Sequence, residues 1–139
     1  MPTRERKRTE IAQRLWSAGL RPTRQRIVLA TLLFGKQHRH VTAERLYDEA
    51  IGVGARLSLA TVYNTLNQFT QAGLLRQGAV SAAHSYFDTN ISEHQHFYIE
   101  ADQRLIDIPG RHVSVSRLPI TPTGTTVDRI DVVIRLKRS

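Results

Sequence analysis

The sequence predicts an α+β chain: three or four helices with a β-hairpin come first, and a small mixed domain rich in strands follows. Two patterns carry this. Apolar residues recur at helical spacing in four stretches before residue 73, each bounded by cap or stop residues. From about residue 92 the period changes to the alternation of strands. Charge is also divided, because residues 1–39 hold ten Lys/Arg against Glu5 and Glu10, and the other hundred hold ten of each sign. The net charge of +8 therefore belongs to one end of the chain.

Residues 1–9 are too polar to pack and read as a loose basic arm. A first helix fits 10–18, with Ile11, Ala12, Leu15 and Ala18 on one face and Gly19 as a stop. Pro22 sets a turn, Thr23 caps a second helix that runs to about Phe34, and Gly35 ends it. A third helix starts at Thr42, with Ala43, Leu46, Tyr47 and Ala50 at the i, i+3, i+4, i+7 positions, and stops at Gly52-Val53-Gly54. The fourth runs from Ser58 to Gly73 on a stripe of Leu59, Val62, Leu66 and Phe69. Two short strands, 74–77 and 85–88, are expected around a small-residue turn at 78–83. Beyond the boundary, strands are expected at 94–100, 104–108 and 127–136. The Pro- and Gly-bearing stretch 109–126 is expected to be loop, with one helical turn near 111–117. The expected division is a basic arm at 1–9, a first domain at 10–90 and a second at 91–139.

With 139 residues, the chain is one domain or two small ones. No apolar run approaches the ~18 residues of a membrane span, and no signal-peptide pattern is visible, so a cytoplasmic protein without membrane contact is expected. The absence of cysteine removes disulfides, thiolate zinc sites and cysteine nucleophiles. Any metal must be held by His and carboxylates.

Helix–turn–helix followed by a two-stranded hairpin is the winged-helix plan, and the fourth helix has the chemistry to go with it. Residues 58–72 contain no charge. Their polar face carries Thr61, Asn64, Thr65 and Gln68 beside Tyr63, side chains able to meet base edges and thymine methyls. An uncharged reading helix needs its attraction from elsewhere, and the Arg-rich N-terminal residues supply it. The plainer alternative is a solvated polar face, with the arginines a bias of composition.

Gly19-Leu20-Arg21-Pro22-Thr23-Arg24-Gln25-Arg26, His40-Val41-Thr42-Ala43-Glu44-Arg45-Leu46-Tyr47 and Ser58-Leu59-Ala60-Thr61-Val62-Tyr63-Asn64-Thr65-Leu66 resemble motifs of the ferric uptake regulator family. Leu33-Phe34-Gly35-Lys36, Ala72–Gln77, Tyr86–Asn90, His96-Phe97-Tyr98 and Asp107-Ile108-Pro109 resemble its iron response regulator branch in alphaproteobacteria. The resemblance spans roughly residues 10–137. It implies an N-terminal winged-helix DNA-binding domain and a small α/β dimerisation domain. It also implies a homodimeric transcription regulator of iron homeostasis on AT-rich, dyad-symmetric double-stranded DNA, and no enzyme. Tyr63 and Asn64 would meet bases and Arg21 the minor groove, where a narrow AT-rich groove attracts Arg. Thr23, Arg24, Ser58 and Thr61 complete the expected DNA-contacting set.

The His94-x-His96 pair on a predicted strand puts two imidazoles on one face about 6.5–7 Å apart. The family template implies a metal site of His40, Asp88, His96 and Asp107, a set suited to Zn²⁺, Mn²⁺ or Fe²⁺. The family's Cys-x-x-Cys zinc site is replaced here by Ile99 and Asp102. Its second metal site is broken at Glu93, Gln95 and Asp128. The iron response branch implies haem as a regulatory ligand through His94 or His96, while His38, His84 and His112 read as solvated. A regulator sensing Mn or Fe directly, without haem, is the alternative. A non-haem iron oxygenase built on His94 and His96 is a remote one, because only 56 residues follow Ala83, too few for the double sheet such enzymes need.

Overall fold

A computed structural model of the chain describes residues 4–35, 37–81, 84–92, 94–108 and 112–139, with all their side chains except those of residues 80, 81 and 84. Expectations for Lys36, Ala82, Ala83, Glu93, Pro109 and Gly110, and for the His84 side chain, lie outside them. The chain divides into two compact units, Met1–Ile91 and Ser92–Ser139.

The first unit contains α1 (Arg4–Ser17), α2 (Arg24–Leu33), β1 (His40–Val41), α3 (Ala43–Gly52), α4 (Leu59–Gln71), β2 (Arg76–Ser81) and β3 (His84–Asp88). Thr23, Thr42 and Ser58 cap α2, α3 and α4, each accepting from the backbone N–H three residues on. Leu15, Leu29, Leu33, Leu46, Val62, Leu66, Phe69 and Phe87 form one fully buried cluster where the helices meet the sheet. The strands run in the antiparallel order β1-β3-β2. Gly78 stands opposite Tyr86 because a Cβ there would come within 2.5 Å of the phenol ring.

Three expectations for this unit change. The first helix begins at Arg4, so residues 4–9 of the supposed arm are helical. Arg, Lys and Glu are good helix formers, Glu5 sits in the first turn, and the Thr9 hydroxyl donates to the Glu5 carbonyl at 3.0 Å. On α4 the buried stripe is Val62, Thr65, Leu66 and Phe69, while Leu59 is exposed. Thr65 is buried without penalty because its hydroxyl donates to the Thr61 carbonyl at 2.8 Å. The first hairpin strand is Arg76–Ser81 instead of 74–77, so 78–81, expected as turn, are strand, and the second begins at His84; β1 was not anticipated because two residues carry no periodicity.

The second unit contains β4 (Gln95–Ile99), a single 3₁₀ turn (Glu100–Asp102), β5 (Arg104–Ile108) and β6 (Val133–Leu136), in the order β5-β4-β6. β4 is antiparallel to β5 and parallel to β6. The expected strand 127–136 shrinks to 133–136. In the parallel register that sets Val133 beside His96, residues 127–131 would face positions before β4 begins at Gln95, so Val127 and Ile130 remain exposed. Residues 112–117 carry no helical turn, in keeping with the weak helix propensity of Val113, Ser114 and Val115.

Candidate functional site

In the first unit, Ser58, Tyr63, Asn64, Asn67 and Gln68 are exposed on α4, with Thr61 half-buried among them. The Ser58 and Thr61 hydroxyls lie 3.0 Å apart, which organises the first turn. Arg26 of α2 bridges to this helix, donating to the Arg21 carbonyl at 2.9 Å and to Gln68 Oε1 at 3.0 Å. The opening of α2 is thereby tied to the polar face of α4, and Arg21, Thr23 and Arg24 are exposed at that opening. Tyr63 donates its hydroxyl to Glu44 Oε1 of α3 at 2.6 Å. That hydrogen bond, with some desolvation and the nearby carboxylate charge, raises the Tyr63 phenol above its ordinary pKa.

His40 and Asp88 are cross-strand partners on β1 and β3, with Nε2 and Oδ2 3.3 Å apart. The segment before them is anchored on both sides. The Arg39 N–H donates to the Thr89 hydroxyl at 2.9 Å, and the Thr89 N–H donates to the Arg39 carbonyl at 3.1 Å. The Arg39 guanidinium holds both carboxylate oxygens of Glu49 at 2.9 and 2.6 Å. These bonds from Arg39 lower the Glu49 pKa, more than burial raises it, and Arg45 adds a smaller pull. The Tyr86 ring meets the His40 imidazole edge to face at 5.9 Å.

In the second unit, His96 and Asp107 are cross-strand partners on β4 and β5, and Asp107 Oδ1 lies 3.3 Å from His96 Nε2 and 3.4 Å from His94 Nε2. One donor atom from each of the three lies within 4.8 Å of the others. His94 Nδ1 faces the Ser92 carbonyl at 2.7 Å and must donate to it, so a neutral His94 carries its lone pair on Nε2. That nitrogen stands 3.4 Å from an Asp107 oxygen, close enough for both to meet one cation. The donor set therefore fits a divalent metal. The metal set implied by the family template left out His94, which was assigned to haem. The His-x-His spacing held the signal that both imidazoles reach one carboxylate.

The sequence profile of the ferric uptake regulator family matches residues 17–130. The chain belongs to the ferric uptake regulator family. A ferric uptake regulation protein of Vibrio anguillarum is 35% identical over 82 residues, which are 59% of this chain and 55% of that protein. The match thus spans little more than half the length of that relative. The ferric uptake regulator of Pseudomonas aeruginosa, solved with manganese, superposes with a TM-score of 0.69 at 23% identity, covering 92% of this chain and 97% of that one. The regulator of Vibrio cholerae superposes equally well, at 23% identity over 91% and 98% of the two chains. These likenesses establish the family fold, an α+β chain, and the family is one of regulators rather than enzymes. Among the described residues no helix is long and apolar enough to cross a membrane.

Proposed function

We propose that this chain is a homodimeric, metal-responsive DNA-binding regulator of iron genes, acting in the cytoplasm. The observation that carries the reading is the exposed, charge-free face of α4 within a helix–turn–helix and wing. Tyr63 and Asn64 read base edges in the major groove; Ser58, Thr61, Thr23 and Arg24 position the backbone, and Arg21 enters the adjacent minor groove. Dimerisation through residues 91–139 brings two reading helices to one dyad-symmetric, AT-rich site.

His40 and Asp88 of the first unit and His96 and Asp107 of the second hold one divalent ion, Zn²⁺, Mn²⁺ or Fe²⁺, with His94 as a further donor. A shared ion supplies a link between the reading unit and the dimer unit, and operator affinity rises through preorganisation. The finer reading, that of the iron response branch, makes haem a second ligand. His94 and His96 contact each other edge to face at 4.5 Å, so haem iron taking either one draws it from Asp107 and lowers DNA affinity.

The test starts from a duplex selected out of a random pool by the metal-loaded protein. Binding to it is then measured for apo protein and for protein loaded with Mn²⁺, Zn²⁺, Fe²⁺ or haem. Metal is expected to tighten binding about tenfold or more, in the usual range of coupling between sites, and H96A is expected to lose both metal and that gain. Equal affinity of apo and metal-loaded protein would refute the metal reading. Haem uptake with no loss of metal or DNA would refute the haem reading.

A further inference from the structure

The hydrogen bond between Tyr63 and Glu44 sets a constraint on how Tyr63 can meet DNA. Tyr63 lies on the exposed face of α4, 38% accessible, and its hydroxyl is held by a carboxylate of the neighbouring helix at 2.6 Å. A phenol can spend its one hydroxyl proton on a DNA acceptor, most readily a phosphate, which carries no sequence information, or it can pack its ring on base edges, which does. With the hydroxyl engaged by Glu44 Oε1, the first way is closed and the ring is fixed in one orientation. Glu44 also stands at the second position of α3, where the N-terminal dipole favours its negative charge. In a helix–turn–helix this helix crosses the sugar–phosphate backbone. A fixed carboxylate there disfavours every phosphate equally, whatever the sequence.

We propose that Glu44 is a specificity-determining positioning residue: it takes the Tyr63 hydroxyl away from the phosphates, fixes the ring for base contact, and trades affinity for selectivity. This rests on the reading of DNA by α4 proposed above. The carboxylate does two separable things. Its oxygen accepts a hydrogen bond, which sets preference between sequences. Its charge repels backbone, which sets affinity for all of them. Gln at the same position keeps an acceptor oxygen and loses the charge, while Ala loses both.

Binding of the metal-loaded full chain to the selected duplex and to a scrambled duplex, each over a salt series, tests the proposal. E44Q is expected to bind both duplexes about two- to fivefold more tightly at low salt, with their ratio unchanged and the gain shrinking as salt rises. E44A is expected to gain similarly on scrambled DNA and to lose roughly three- to tenfold in the ratio, part of a direct base contact. Y63F, which keeps the ring and loses the donor, should reproduce that loss of ratio, and the double variant E44A/Y63F should be no worse than either single one. If E44A folds poorly, Y63F carries the same prediction alone. A ratio unchanged in both E44A and Y63F, or losses that add in the double variant, would overturn the role of Glu44. Y63A separates the two levels of inference. A ratio that falls in Y63A but not in E44A or Y63F leaves the reading helix standing and removes Glu44, and a ratio unchanged in Y63A removes both.

Discussion

Arg39 and Glu49 show how much a single pair can position. Arg39 stands immediately before His40; its guanidinium grips both oxygens of Glu49 and donates to the Leu32 carbonyl, while its backbone N–H donates to the Thr89 hydroxyl. The pair is part-buried and bidentate, the geometry in which an ion pair contributes. Because the folded Glu49 carboxyl is lowered from its ordinary 4.5, its stabilisation is complete above that pH and is lost as pH falls through the lower, folded value. R39A is therefore expected to lower stability by about 1–2 kcal/mol at neutral pH. The penalty should fade on acidification below pH 4.5, a trend that urea melts at several pH values would follow. A penalty that persists undiminished in acid would assign the effect to packing of the Arg39 stem instead. Neither partner announces this role in the sequence, since they stand ten residues apart on different elements.

At the scale of elements, α1 and α4 differ in charge, and the proposed DNA reading divides the work of binding between them. α4 carries no charge in Leu59–Gln71, whereas the first two turns of α1 hold Arg4, Arg6, Lys7 and Arg8 on an exposed, regular helix. Substituting Arg6 and Arg8 together by Ala is expected to weaken binding to selected and scrambled duplexes alike. The log–log salt slope should shrink by about 1–2, the loss of one or two phosphate contacts. Fluorescence anisotropy at five salt concentrations decides this, and a change confined to the selected duplex would contradict it. Helices α2, α3 and α4 were legible because each has a stripe and a cap, and α1 through its stripe and the Gly19 stop. The candidate ligand pairs were legible only through the family resemblance for His40 with Asp88, and through local spacing for His94 with His96. The register that sets His40 opposite Asp88 depends on β1, whose two residues leave no pattern. C-terminal alternation misled for a related reason: periodicity reports which side chains could share a face, not whether a neighbouring strand is long enough to pair with them.

For the whole molecule, the second unit is the part least able to stand alone. Among its described residues, Tyr98 and Ile108 are the apolar side chains that are fully buried, while Val115, Leu118, Ile120, Val127, Ile130 and Leu136 are exposed. A unit of this size ordinarily needs a staple, a metal or a partner. A second copy is the partner proposed above, and these exposed apolar residues would supply its contact surface. Light scattering of the metal-loaded chain at micromolar concentration should give a dimer. Ile120→Asp with Leu118→Asp should shift it toward monomer and lower operator affinity with it. A monomer in the unmutated protein that still binds the selected duplex would contradict the assembly.

The parallel pairing of β4 with β6 also bears on the order in which the chain folds. His96 pairs with Val133 across 37 positions, and between β5 and β6 the described residues, 112–132, contain no helix or strand. Closing such a span costs entropy before any ladder bond compensates for it, and parallel contacts of high sequence separation form slowly. The helices of the first unit close locally and need not wait. During synthesis they can therefore be complete while β6 is still inside the ribosome. The helices of the first unit can then be formed before the sheet of the second unit is complete, and Val133–Leu136 are the residues that complete the strand order around His96. Folding order thus makes β6 the late strand of its sheet, and a chain cut before Val133 would keep the local β4–β5 pairing of His96 with Asp107 while leaving the other edge of β4 open.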